Sequence, residues 1–167
     1  MDDYYDSIAE GYEELHREEQ EMKIDFIKER LDDYFRIESD NELLDVGCGT
    51  GITTIPWPCK RTGLDPAKKL LERGNEKKEV KYILGCAEYI PFEDNSFDIV
   101  TSITAIQNFK DAEKGLSEIR RVGKKFFILS YLKKSKKAED IEKAINNLFD
   151  VKARFEEDKD ILFFCTK

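Results

Sequence analysis

Two carboxylates and a run of glycines carry the chemistry that this chain offers. Asp45 closes an apolar run and leads into Gly47-Cys48-Gly49-Thr50-Gly51, and Asp65 follows 20 residues later, 65 − 45. Glycine tolerates positive φ and, having no Cβ, lets a ligand approach the backbone closely. A turn of this kind at the carboxyl end of a strand sits where open α/β sheets bind ligands, and an acid ending the next strand can accept both hydroxyls of a ribose. The pair therefore suits an adenosine-bearing ligand. Asp65-Pro66 is equally a good helix start, with Asp as cap and Pro in the first turn, and both roles can hold together. The string departs from the dinucleotide fingerprint, since its third glycine comes one position early, and no phosphate-loop lysine follows. A carboxylate at Asp45 would repel a pyrophosphate but attract an ammonium or sulfonium.

These residues need a scaffold, and the length sets its scale. The chain has 167 residues, 28 Lys+Arg against 36 Asp+Glu and a net charge of −8. That length is about one domain, so a single domain over 1–167 is expected, with N-terminal helices in 1–37 and a sheet core in 42–167. The acidic sum argues against an obligate duplex binder, and no apolar run is long enough to span a membrane. The N-terminus lacks a secretory signal. Four cysteines at 48, 59, 86 and 165 form no C-x-x-C pair, so neither a disulfide framework nor a metal site is expected, and a reducing cytoplasm is the default. Abundant Lys and Glu with only two glutamines, Gln20 and Gln107, match the balance of a thermophile.

Apolar spacing predicts helix from Asp3 to about Phe35. Ile8, Tyr12 and Leu15 form one segment; after a polar break, Met22, Phe26, Ile27, Leu31, Tyr34 and Phe35 form a second. From residue 42 short apolar runs alternate with helical patterns. Strands are expected at Leu43–Val46, Arg61–Leu64, Val80–Leu84, Phe97–Ile103, Phe126–Leu132, Phe149–Phe155 and Ile161–Thr166, and helices at Ala67–Arg73, Ala112–Val122 and Ala138–Leu148. Such alternation is the pattern of a parallel sheet covered on both faces. The last two strands are joined too closely for a parallel crossover, so they pair as a hairpin. The expected fold is α/β: a doubly wound, mostly parallel seven-stranded sheet with one antiparallel strand and an N-terminal helical lid. A helix of one to two turns is expected after the glycine loop, cut off by Pro56-Trp57-Pro58, with Trp57 as a core plug.

The segment Leu44–Gly51 resembles the first motif of class I S-adenosylmethionine-dependent methyltransferases. Gly63-Leu64-Asp65-Pro66 resembles their second motif, and Gly85–Phe92 and Asn95–Val100 resemble the third and fourth. The nearest subgroup is that of ubiquinone and menaquinone biosynthesis, whose N-terminal element Tyr5–Tyr12 resembles. The resemblance implies S-adenosylmethionine as methyl donor and S-adenosylhomocysteine as product. It also implies that Asp45, Gly47, Cys48 and Gly49 hold the methionine end, while Asp65 and Pro66 stand at the ribose. Cys86 and Ala87 would line the adenine, Ile103 and Thr104 would form the floor, and Tyr12, with Tyr5, would close over the cofactor. At Cys86 the family usually carries an acid, so either Glu88 substitutes or packing and backbone hold the adenine.

Transfer of a methyl group needs orientation and a dry site more than acid–base help. The catalytic candidates are His16, Gln107 and Asn108. Neither an Asn-Pro-Pro-Tyr type motif nor a Pro-Cys pair follows the fourth strand, which disfavours amide-nitrogen and cytosine-C5 targets. Arg120 to Lys137 carries eight cations and no acid; it reads as a solvated stretch, with no strong nucleic-acid signature. The loop Lys133–Lys137 is too short to cover the site, which leaves the N-terminal helices, a partner subunit or a second copy to do so. The acceptor is unidentified: a small molecule, RNA or protein. Two other readings are a catalytically silent cofactor-binding module that acts with a partner, and an NAD-dependent oxidoreductase.

Overall fold

The computed structural model describes residues 2–75 and 80–167, with side chains from residue 14 onward. Seven strands form one sheet: β1 (Glu42–Val46), β2 (Lys60–Asp65), β3 (Lys81–Leu84), β4 (Phe97–Ser102), β5 (Gly123–Leu132), β6 (Asp150–Glu156) and β7 (Asp160–Thr166). Their order is β3-β2-β1-β4-β5-β7-β6, with β7 alone antiparallel to its neighbours β5 and β6. The chain runs outward from β1 to β3 and returns to β4. The β1–β4 pair is therefore the switch point, where a crevice opens beyond the carboxyl ends of the strands.

Alternation along the central strands feeds two cores. Leu44, Val46, Val100, Phe127, Leu129 and Phe163 meet Leu116, Ile119, Ile141 and Ile145 of α3 (Ala112–Val122) and α4 (Ala138–Leu148). Leu43, Ile99, Phe126, Ile128, Leu162 and Phe164 face the other way, toward Ile24, Ile27 and Leu31 of α1 (Asp2–Leu31) and toward Trp57. α2 (Lys68–Asn75) follows β2. Apolar residues on both faces explain why these strands read as unbroken hydrophobic runs.

Two expectations are corrected. The N-terminal segment is one helix of 30 residues that ends at Leu31, with Tyr34 and Phe35 in the turn beyond it. The polar break at 16–21 is mostly Arg, Glu and Gln, which are good helix formers, so it marks a change of surroundings without ending the helix. The second correction lies after the glycine loop, where no helix forms. One turn closes, with the Thr54 and Ile55 amides donating to the Gly51 carbonyl at 3.0 and 2.9 Å, and Pro56 and Pro58 prevent its extension. Trp57 takes the helix's place against the sheet. It is 1% exposed, its Nε1 donates to the Thr53 carbonyl at 2.8 Å, and the Lys28 ammonium lies 5.6 Å from its ring centre.

Packing of α1 rests on its C-terminal half. Ile27→Ala should cost about 2–4 kcal/mol in urea unfolding, whereas Met22→Ala, at an exposed position, should stay within about 0.5 kcal/mol. A loss at Ile27 no larger than that at Met22 would show that the helix is not packed on the sheet.

Candidate functional site

A cavity of about 860 Å³ opens at the switch point, lined by the glycine loop, Asp65, Pro66, Ile103, Thr104, Ala105, Asn108 and Phe109, and by His16, Arg17 and Gln20 of α1. The volume falls at the large end of the roughly 300–1,000 Å³ typical of small-molecule sites. Parallel register creates it. Gly47 and Cys48 donate to the Leu64 carbonyl at 2.7 and 3.1 Å, which turns the chain sharply across the end of β2. Gly47, Gly49 and Gly51 all have positive φ, at 81, 55 and 92°, where a side chain is strained. At Gly47 a Cβ would meet the Ala105 Cβ at 2.5 Å, whereas at Gly49 the nearest atom would lie 3.9 Å away. The loop backbone thus abuts the end of β4 on one side and is open to a ligand at Gly49.

Asp65 sits where it was expected, and both of its oxygens are engaged. Oδ2 accepts from the Gly49 amide at 2.9 Å and Oδ1 from the Ala67 amide at 2.8 Å. Each oxygen keeps a second lone pair for a ribose hydroxyl. Helix-start and ligand roles are therefore both available to it.

Asp45 is placed differently from the expectation of direct contact. It is 0% exposed, beneath the loop and away from the cavity lining. The β1–β4 register sets Asp45 opposite Thr101, whose hydroxyl donates at 3.0 Å, and the Thr53 and Thr54 hydroxyls each donate at 2.7 Å. Thr53 itself lines the cavity. Burial raises the Asp45 pKa to about 6, against the opposing pull of these three hydroxyls.

Of the remaining expected residues, Gly47, Cys48, Gly49, Pro66, Ile103, Thr104, His16 and Asn108 all line the cavity. Cys48 is buried, which raises its thiol pKa far above the ordinary value and keeps it an inert packing group. Cys86 and Ala87 are off the lining; Ala87 packs with Phe109 in the α3-side core, and Phe109 is what faces the cavity. Glu88 is buried and off the cavity lining, and its Oε1 accepts from the Asp111 amide at 3.1 Å. Gln107 is also off the lining; its amide bridges the Thr104 carbonyl at 2.8 Å and the Leu132 amide at 3.4 Å. The side chains of Tyr5 and Tyr12 lie outside the described residues.

Sequence reasoning missed Arg17, Gln20, Thr50, Ile52, Thr53, Leu70, Arg73, Ala105 and Phe109 on the lining. It also missed Tyr82, whose hydroxyl donates to the Thr50 carbonyl at 3.4 Å and whose ring occupies the space that a Cβ at Gly51 or Gly74 would take. Thr50 and Ile52 adjoin the glycines and were signalled by that position; for the others the signal was helical or strand phase, which does not say which neighbour a face will meet.

The basic stretch is largely consumed by the fold. Arg120 donates to the Leu148 carbonyl, and Arg121 binds Glu118, Asp94 and the Ile90 and Phe92 carbonyls. Lys124 and Lys125 pair with Asp98, Lys133 pairs with Glu156, and Lys137 donates to the Phe109 carbonyl. Among the described residues, no cluster suited to a metal is found and no helix is long and apolar enough to cross a membrane.

Residues 44–128 match a family described as "Methyltransferase domain". The chain is 34% identical over 93 residues to the uncharacterized methyltransferase YcgJ of Bacillus subtilis, covering 50% of this chain and 37% of that protein. It is 38% identical over 96 residues to demethylmenaquinone methyltransferase of Staphylococcus aureus, covering 52% and 40%. The aligned part thus spans well under half the length of these curated relatives. Among solved structures, a SAM-dependent methyltransferase of Aquifex aeolicus superposes with TM-score 0.69 at 18% identity, covering 83% of this chain and 88% of that one. A chain from the complex between the Haloferax volcanii Trm112 methyltransferase activator and a methyltransferase superposes at 0.71 and 15% identity, covering 90% and 93%. The chain belongs to the methyltransferase-domain family, within the class I S-adenosylmethionine-dependent methyltransferases. These matches do not favour the silent-module or NAD-dependent readings.

Asp45 yields a pH test. Its pKa is higher in the fold than in the free chain, so the folded state holds the proton more tightly. Its contribution to stability is full below pH about 4 and falls by about 3 kcal/mol as pH rises through 6. Asp45→Asn should remove this fall, so the difference in melting temperature between variant and wild type should shift in the variant's favour from pH 4 to pH 7. A pH-independent difference would show that the carboxylate is not buried.

Proposed function

We propose that this chain binds S-adenosylmethionine in the switch-point cavity and transfers its methyl group to an acceptor lying against α1, leaving S-adenosylhomocysteine. The observation that carries the reading is one cavity wall made of Gly47–Gly49 and Asp65, with the Gly49 amide and the Asp65 carboxylate locked together at 2.9 Å. The bound donor would supply an electrophilic methyl on a sulfonium.

The residues fit that ligand. The open backbone at Gly49 admits the methionine end. Asp65 accepts the ribose hydroxyls, with Pro66 beside it, while Phe109 and Leu70 offer apolar surface to the base. Ile103 and Thr104 close the floor. Asp45 acts through the loop, fixing Thr53 and Thr54 beneath it. Tyr12, on the same helix as the α1 wall, remains a proposed lid residue.

On the acceptor side His16, Arg17, Gln20 and Asn108 share the cavity. Partial burial, then the Lys23 cation, lowers the His16 pKa, against an opposing pull from Glu19. The imidazole is thus neutral at pH 7 and able to take a proton from the acceptor. Asn108 would orient the acceptor. Four cysteines without a disulfide suit a reducing cytoplasm. The single-domain reading of 1–167 is retained. The cavity's open side suits a covering partner or a second copy of the chain, a reading supported by the activator complex formed by the Haloferax relative's methyltransferase.

Calorimetry tests the cofactor. S-adenosylmethionine and S-adenosylhomocysteine should bind and NAD should not. Asp65→Ala should weaken S-adenosylhomocysteine roughly tenfold to a hundredfold, while His16→Ala should leave that affinity unchanged and slow methyl transfer to fractionated extract. No binding of either compound by the wild type would overturn the reading.

A further inference from the structure

Beneath the acceptor-side wall lies a polar network that neither the cofactor reading nor the core accounts for. Lys23 of α1 and Asp160 of β7 are 3% and 1% exposed, and their side chains pair at 3.1 Å. The Thr104 hydroxyl joins them, donating to Asp160 Oδ2 at 2.6 Å and accepting from Lys23 Nζ at 3.0 Å. The Ser130 hydroxyl donates to the same Oδ2 at 2.8 Å and accepts from the Thr104 amide at 2.9 Å. Thr104 is held at φ 54°, a conformation costly for a β-branched residue, so the network constrains the backbone as well as the side chains.

Its position matters because Thr104 belongs both to the network and to the cavity wall. The next residue, Ala105, is the group that a Cβ at Gly47 would strike. The ion pair is thus one side chain removed from the loop that receives the methionine end of the ligand. It also marks where α1 leaves the core: Ile24 and Ile27 beyond it are buried, while His16, Arg17 and Gln20 before it line the cavity.

A buried ion pair contributes little net stability over well-packed apolar residues, because desolvation offsets the attraction. Neutrality at this spot has a separate use. A lone lysine cation here would repel a sulfonium, and a lone carboxylate would hold one more tightly than its neutral thioether product.

Building on the methyl-donor reading, we infer that Lys23 and Asp160 are positioning residues that leave no unpaired charge beneath the acceptor-side wall, where a sulfonium would sense it, while tying α1 to Thr104. The pair lets donor and spent product exchange without a charge bias from the layer beneath this wall.

The test is the ratio of dissociation constants for S-adenosylmethionine and S-adenosylhomocysteine, measured by calorimetry on the full chain. Asp160→Asn leaves the Lys23 cation and should shift the ratio roughly tenfold against S-adenosylmethionine. Lys23→Met leaves the Asp160 anion, still bonded by Ser130 and Thr104, and should shift the ratio the opposite way. The double variant should return to within about twofold of wild type. A structural role alone would weaken both ligands equally, so unchanged ratios, or shifts of the same sign in both single variants, would overturn the inference. Either single variant decides the matter should the other fail to fold. Wild-type binding of neither compound is a different result, which overturns the cofactor reading itself.

Discussion

A carboxylate with no access to water governs the shape of this site. Asp45 is held by three threonine hydroxyls, two from the turn after the glycine loop and one from the neighbouring strand. Burying an ionised carboxyl is costly unless hydrogen bonds replace its water. The turn is therefore bound to the strand end by the penalty of separating them. Helix formation would ordinarily order the residues after such a loop, but Pro56 and Pro58 prevent it. Asp45, the Trp57 hydrogen bond to Thr53 and the Tyr82 ring between Gly51 and Gly74 take over that task. These contacts hold the loop where no helix follows it.

Much of this was legible. Unbroken apolar runs between helical patterns give a parallel sheet, and a closing pair joined by a few residues gives the antiparallel β7. The glycines give the positive-φ turn, and Asp65 ends the strand next to it. α3 and α4 begin and end at the residues their patterns indicated. These features are local, written in periods of two or 3.6 residues and in glycine placement. The role of Asp45 was less legible because charge and position pulled in different directions. A carboxyl beside a ligand loop reads as a ligand contact, yet strand phase puts Asp45 on the same side as Leu43, which is fully buried. Thr53-Thr54 was the available clue, since adjacent hydroxyls after a tight turn can reach back to the strand.

Long-range pairs left no mark in the sequence. Lys23 reads as one polar position on a helix and Asp160 as the start of a strand, and only the sheet order brings them together. Glu88 reads as a possible adenine acid, but its partner is the Asp111 amide at the start of α3. The basic stretch shows the same limit from the other side. Its charge density is conspicuous in one dimension and ordinary in three, because carboxylates and carbonyls from distant segments meet most of its members.

The two halves of α1 differ in what they touch, and this difference ties the cavity wall to the sheet. Residues from Ile24 onward are fixed by apolar packing, which is insensitive to what the cavity contains. Before Lys23, the wall residues His16, Arg17 and Gln20 face the cavity, whose contents set their surroundings. A helix anchored at one end can change its angle about the last anchor at small cost, since only contacts near the pivot must shift. Here the last anchor is an ion pair whose third member, Thr104, is part of the floor. The α1 wall is thereby in contact, through Thr104, with the residue that abuts Gly47. Hydrogen bonds join α1, β5 and β7 to Thr104 in the segment after β4, and Ala105 carries the contact on to Gly47 by packing, while the sheet beneath them is filled by its core.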